Sequence, residues 1–207
     1  MIVAIDGPAA SGKGTLAKRL AAHYGLPYLD TGMLYRGVAR RMLDAGAPLD
    51  DAGAATEFAQ AFTPGSDDDE RLRGRDMGEA ASIVAAHPPV REALLALQRA
   101  FARQPGGAVL DGRDIGTVIC PDADIKLFIT ATPEVRAHRR ALEFAARGEA
   151  VDEAAILAEI RQRDARDAQR AAAPLTMAAD AVMLDTSGLD VAGVVAAALA
   201  IVEGKLR

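Results

Sequence analysis

The sequence has no asparagine and no tryptophan, one cysteine, three histidines and only four lysines among 24 basic residues. Each scarcity removes something. A lone Cys120 allows neither a disulfide framework nor a thiolate zinc cluster, and the expected setting is a reducing cytoplasm. Cys120 precedes Pro121 with no base nearby in sequence, so packing is its expected role. Without asparagine there can be no NKxD segment, the means by which guanine-reading switches recognise their base. His23, His87 and His138 stand in no catalytic pattern. No run approaches the roughly 18 apolar residues of a membrane span, and the start, MIVAIDG, lacks a secretory leader's basic segment. A net charge of -5 argues against a nucleic-acid polymer as partner. Nothing in the pattern signals an obligate protein partner.

What remains is 207 residues, 50% hydrophobic, enough for one domain with a full core. Its most informative stretch is Gly7-Pro8-Ala9-Ala10-Ser11-Gly12-Lys13-Gly14-Thr15. The apolar run before it reads as a buried strand, and the residues from Thr15 to Tyr24 have helical spacing and stop at Gly25. Strand, glycine-rich turn and helix together define a phosphate loop. Its backbone N–H groups and the helix dipole would cradle the phosphates of ATP, Lys13 would reach the terminal ones, and the Thr15 hydroxyl would meet Mg2+.

Farther along, apolar strands at 26–32, 108–111, 124–131 and 181–185 alternate with helical segments at 33–45, 52–61, 77–86, 89–103, 133–148, 152–172 and 191–202. This alternation predicts an α/β fold, a doubly wound parallel sheet with helices on both faces. Ligands in such sheets lie beyond the strands' carboxyl ends, here Asp6-Gly7, Asp30-Thr31, Asp111-Gly112-Arg113-Asp114, Thr130 and Asp185-Thr186. The acidic, turn-forming run Thr63 to Glu70 reads as a solvated loop.

With lysine rare, the cation to follow is arginine, whose planar fork grips phosphate in two places. Arg36 follows Thr31-Gly32, Arg91 opens the helix after Pro88-Pro89, and Arg113 sits between Asp111 and Asp114. Arg163, Asp167 and Arg170 fall at i, i+4 and i+7 on one helical face, with Arg166 beside them. Arg136, Arg139 and Arg140 lie on the preceding helix. The bland reading makes each a solvent-facing salt bridge, with Arg163–Asp167 an ordinary pair. The alternative is that anionic substrates lie between them.

IDGPAASGKGT, LDTGMLYR, GEAASIVAAHPPVREALLALQRAF, LDGRDIGTV, AEIRQRDARDAQRAAAPL and AADAVMLDTS span nearly the whole chain, and in them it resembles the bacterial cytidylate kinases. That likeness implies ATP-dependent phosphorylation of CMP and dCMP in a single kinase domain over 1–207. Its core would be about 1–60 and 105–207, with a shortened monophosphate-binding insert at about 61–104 and a helical lid at about 134–170. It implies that Thr31 and Ser82 bond the nucleoside monophosphate, while Arg36, Arg91, Arg113 and Arg170 hold phosphate. Asp114 and Asp167 would address the sugar side, Arg163 would bridge donor and acceptor phosphates, and Asp111 would sit by the magnesium through water. The catalytic set is then Lys13, Arg113, Asp114 and Arg163. Between Phe62 and Ala80 the chain is too short for the small antiparallel sheet that longer members insert, which leaves CMP against UMP open. Two other readings stand at this point. One is a kinase with a hydroxyl acceptor, of shikimate type, needing Asp30 or Asp114 as base; the other is a nucleotide-dependent switch.

Overall fold

Five short strands, β1 (Ile2–Asp6), β2 (Tyr28–Asp30), β3 (Ala108–Gly112), β4 (Ile125–Thr130) and β5 (Val182–Asp185), form one sheet in the order β2-β3-β1-β4-β5. Every pairing is parallel. The computed structural model describes residues 1–63 and 70–206, without the side chains of residues 70, 73 and 75. Residues 64–69, most of the run read as a solvated acidic loop, lie outside the described residues.

Parallel strands need helical crossovers, and these bury the sheet from both sides. On one face pack α2 (Thr31–Asp44), α3 (Ala52–Gln60), α4 (Arg75–Val84) and α5 (Pro88–Ala102), around Leu34, Val38, Met42, Val84, Val90 and Leu94. On the other pack α1 (Lys13–Tyr24) and α8 (Val191–Lys205), with Leu16, Leu20, Val194, Ala198 and Val202. Side chains alternate along β1, so Ala4 enters the first core while Val3 and Ile5 enter the second. A third, small cluster joins α6 (Pro133–Ala146) to α7 (Glu153–Gln169) through Ala137, Ala141, Phe144, Ile156 and Ile160, and it packs on Ala10 of the phosphate loop.

The expected α/β architecture is present, with shifted ends. The second helix starts at Thr31 rather than Met33, because the Asp30 carboxylate accepts the Gly32 N–H and caps it. Arg36 lies in this helix, as expected. The helix expected to reach residue 172 ends at Gln169, and Arg170 is already extended. Two short pieces had no periodic signal: a 3-10 turn, Glu70–Arg73, and a π-helical turn, Ile115–Ile119, directly after Asp114. Among the described residues of 61–104 there is no strand. Among the described residues no helix is long and apolar enough to cross a membrane.

Candidate active site

A cleft of about 960 Å³ opens beyond the carboxyl ends of the strands. At one end lies the phosphate loop. Gly7 has φ +153, and a Cβ there would land on the Ile129 carbonyl oxygen of the neighbouring strand, so the tight exit from β1 requires glycine. Ala10 is left-handed at φ 58, a conformation costing a non-glycine residue about 1 kcal/mol. Five other helices begin on a capping side chain, namely Asp30, Asp51, Thr132, Asp152 and Asp190. Helix α1 begins on Gly12 with no side-chain cap, leaving its first N–H groups for an anion. The Ser11 hydroxyl beside them is buried and makes no hydrogen bond. Lys13 folds over the loop, with Nζ donating to the Pro8 carbonyl at 3.1 Å. Burial lowers its pKa to about 7, helped by the Arg113 charge and opposed by Asp111 and Asp30.

Facing Lys13 is Asp111, the carboxylate near the end of β3. Tyr28 Oη donates to its Oδ1 at 2.7 Å, and the Thr31 hydroxyl donates to its backbone carbonyl at 2.8 Å. Burial, then the neighbouring Asp30 charge, push the Asp111 carboxyl up to about 7, against the pull of Lys13. Asp111 and the Thr15 hydroxyl are hard oxygen donors on the phosphate side of the cleft. That chemistry fits Mg2+, which takes one or two protein oxygens and completes its shell with phosphate and water. Among the described residues no cluster of three or more metal-ligating side chains occurs.

At the other end five guanidinium groups converge from four elements: Arg36 of α2, Arg91 of α5, Arg113 after β3, and Arg163 and Arg170 of the α7 region. Two buried carboxylates lie among them. Asp114 accepts from Arg91 Nη2 at 2.5 Å and stands 3.9 Å from Arg170. Asp167 accepts from Arg113 Nε at 2.8 Å and stands 3.9 Å from Arg170 and 4.0 Å from Arg163. Burial pushes Asp167 up, but Arg113 and Arg163 outweigh it and hold it below the usual carboxylate range. The cations carry the opposite strain. Burial, then the Arg113 charge, lower Arg163 to about 9, and burial and Arg91 lower Arg170. Arg163 Nε and Arg170 Nη2 are buried and make no hydrogen bond. Arg140 with its partner Glu143 also lines this part of the cleft, and Asp30 lies by Arg36, yet the guanidiniums still outnumber the carboxylates, so this end is built for an anion.

The structure gathers the sequence candidates into this cleft. Ala9, Ala10, Ser11, Gly12, Lys13, Gly14, Thr15, Thr31, Arg36, Ser82, Arg91, Asp111, Arg113, Asp114, Arg163, Asp167 and Arg170 all line it. Gly7 and Pro8 do not; they shape the loop from behind. The expected Arg163–Asp167 pair is the loose one, because Arg113 reaches Asp167 first. Arg136 departs from its group as well. It is buried, clamped on Asp164 and on the Ala131 and Ala9 carbonyls, and serves packing rather than a ligand. Cys120 is buried, as expected.

Tyr28 was missed, and the partners of Arg139 and Arg166 were not foreseen. Tyr28 orients Asp111, and Arg139 ties the phosphate loop to the β5 end by donating to Ser11 O, Thr186 Oγ1 and Thr186 O at 3.4, 2.9 and 2.6 Å. Arg166 donates to Ser82 Oγ at 2.9 Å and to Glu79 at 2.6 Å, joining α7 to α4. None of these pairs has a signal in sequence spacing.

A family model described as cytidylate kinase matches residues 3–204. A cytidylate kinase of Rhodopseudomonas palustris is 64% identical over 203 residues, 98% of this chain and 96% of that protein. One of Methylocella silvestris is also 64% identical, over 98% of this chain and 94% of that protein. Among solved structures, an uncharacterized protein from Eubacterium ventriosum aligns at TM-score 0.57 and 17% identity, covering 98% of each chain. A gluconokinase from Sinorhizobium meliloti aligns at 0.50 and 16%, covering 98% of this chain and 91% of that one. These last two establish a shared fold alone.

Proposed function

The chain belongs to the cytidylate kinase family, and from that premise we propose how its cleft divides the work between two phosphates. The enzyme is a nucleoside monophosphate kinase that phosphorylates CMP with ATP. In our reading ATP lies along the phosphate loop, with its phosphates on Lys13, the Ser11 hydroxyl and the free amides of α1. CMP enters from the other end. Arg36, Arg91, Arg113 and Arg170 grip its phosphate, and Thr31, Ser82, Asp114 and Asp167 surround the nucleoside. Arg163 stands between the two anions. Thr15 and, through water, Asp111 would hold Mg2+, which would supply charge neutralisation and orientation of the donor phosphates.

No general base is required, because a monophosphate with a second pKa of about 6 is mostly dianionic at neutral pH. The residues must align two like-charged groups and offset the charge spread over the moving phosphoryl. Arg163, whose Nε has no hydrogen-bond acceptor in the free protein, is suited to that charge. We infer that the α6–α7 hairpin acts as a lid. Its small core rests on Ala10, and Arg166 fastens it to α4, so closure would exclude water that could take the phosphoryl instead. The proposal extends to dCMP: Asp167 is already satisfied by Arg113, so the site does not need a ribose hydroxyl to neutralise it. A hydroxyl-acceptor kinase is disfavoured because the several arginines at the acceptor end suit a dianionic acceptor, and Asp114 is held by Arg91.

The observation that carries this reading is the single cleft with a lysine cradle at one end and five guanidiniums at the other. A coupled ADP-release assay with a panel of nucleoside monophosphates tests it. CMP should give the highest turnover, dCMP should follow, and ATP alone should give almost none. Equal ADP release with and without acceptor would contradict it.

A further inference from the structure

The mechanism above leaves one buried carboxylate without a role. Asp6 ends β1 one residue before the phosphate loop, is 5% exposed, and does not line the cleft. Its Oδ1 accepts the Ile115 N–H and its Oδ2 the Gly116 N–H, each at 2.8 Å. These amides open the π-helical turn Ile115–Ile119, where the first N–H groups of a helical segment otherwise lack partners. Immediately before that turn stand Arg113 and Asp114, with Asp114 in an irregular backbone conformation, φ -145 and ψ 25. β1 and β3 pair as far as Asp6 opposite Gly112, and beyond that point the Asp6 side chain is the next link between the two segments.

We propose that Asp6 is a positioning residue for phosphoryl transfer: by capping two amides of the turn after Asp114, it holds Arg113 and Asp114 in register with the phosphate loop. This rests on the assignment of Arg113 and Asp114 to the CMP side. Two N–H groups aimed at one side chain require acceptors on both of its oxygens, which an ionised carboxylate offers and an amide or a protonated acid does not. Stability alone does not explain the choice. Burial raises the Asp6 carboxyl to about 6, and the two amide bonds only partly offset this. The other charges facing it are Asp114 on the turn, which raises it, and Lys13 of α1, which lowers it. The Lys126 chain of β4 packs on Gly116, but its Nζ is turned to Pro121 O and Asp180. Because the folded pKa lies above the unfolded one, ionised Asp6 detracts from stability as pH rises from about 4 through about 6.

The test is Asp6→Asn, which keeps shape but sets an NH2 against one amide. A role confined to folding would lower the melting temperature and reduce turnover only by the unfolded fraction. Positioning predicts a loss beyond that fraction: with the variant shown to be folded, kcat/KM for CMP reduced by about ten- to a hundredfold. Affinity for a non-hydrolysable ATP analogue should change far less. The parent-to-variant rate ratio, in which substrate ionisation cancels, should shrink as pH falls below about 6. In the parent, NMR signals of the Gly116 amide and the Arg113 Nε–H should share a step near 6, separate from the step near 7 that Lys13 and Asp111 impose on Arg113. A pH-independent ratio, equal damage to ATP and CMP handling, or an Arg113 signal that stays still near 6 while Gly116 titrates would overturn the proposal. The parent titration decides the matter even if the variant does not fold. Arg113→Met keeps the two readings apart. If it leaves CMP turnover intact, the CMP-side assignment fails; if it abolishes turnover while Asp6→Asn behaves as the parent, only the role of Asp6 fails.

Discussion

The two ends of the cleft hold anions by opposite means. The donor end is mostly backbone: an uncapped helix start, a loop forced by Gly7, and two cations already engaged, Lys13 on the Pro8 carbonyl and Arg139 on Thr186 and Ser11. The acceptor end is mostly side chain, with five guanidiniums delivered by four elements and two carboxylates among them. Dipoles fixed by the fold cost little to leave empty, whereas clustered charges repel until something neutralises them. The difference teaches that the donor end is pre-formed and the acceptor end is completed by its substrate, so catalysis and stability should respond differently to changes at each.

The largest effect should come from Arg163→Met. Removing the guanidinium between the two phosphates should lower kcat by about a hundred- to a thousandfold while leaving CMP affinity nearly unchanged. A steady-state comparison with CMP varied checks this, and turnover within a few-fold of the parent would sink the assignment. Next is Asp167→Asn, which strips the counter-charge from Arg113, Arg163 and Arg170. Breaking such a buried set should cost about 3 kcal/mol of stability in urea titrations. Asp167 has a lowered pKa, so its contribution is complete above the usual carboxylate range and vanishes as pH falls through that lowered value. Parent and variant should therefore converge in strong acid. Inorganic phosphate should recover part of the loss by occupying the arginines; recovery equal to that at a donor-end variant would erase the contrast. The smallest effect is Arg161→Ala. Its bridge to Glu134 joins α6 to α7 at 2.8 Å, but both side chains are more than half exposed, so the melting temperature should stay at the parent's value.

Much of this was legible in sequence because it depends on local pattern. The strand, glycine turn and helix around Lys13 state their own geometry, and alternating strands and helices imply where a ligand must lie. Which arginines meet in the cleft could be named from their positions, but spacing alone left a solvent-facing reading open. Their pairing was not legible. Spacing along α7 offered Arg163 to Asp167, yet Arg113, 54 residues away, makes the 2.8 Å bond. Arg136 looked like its neighbours Arg139 and Arg140 until packing of α6 on the loop buried it. The π-helical turn and its link to Asp6 depend on a contact 109 residues apart, which no periodicity encodes. Local chemistry reads from the chain, while the choice among competing partners is made by the fold.

The most direct test of the two-ended cleft is a binding titration with one molecule that spans it, cytidine and adenosine joined through five phosphates. If both anion ends face each other in line, it should bind the parent far more tightly than ATP or CMP alone, and Arg113→Met and Lys13→Met should each weaken it. Affinity no better than that of ATP, indifferent to Arg113→Met, would contradict the account.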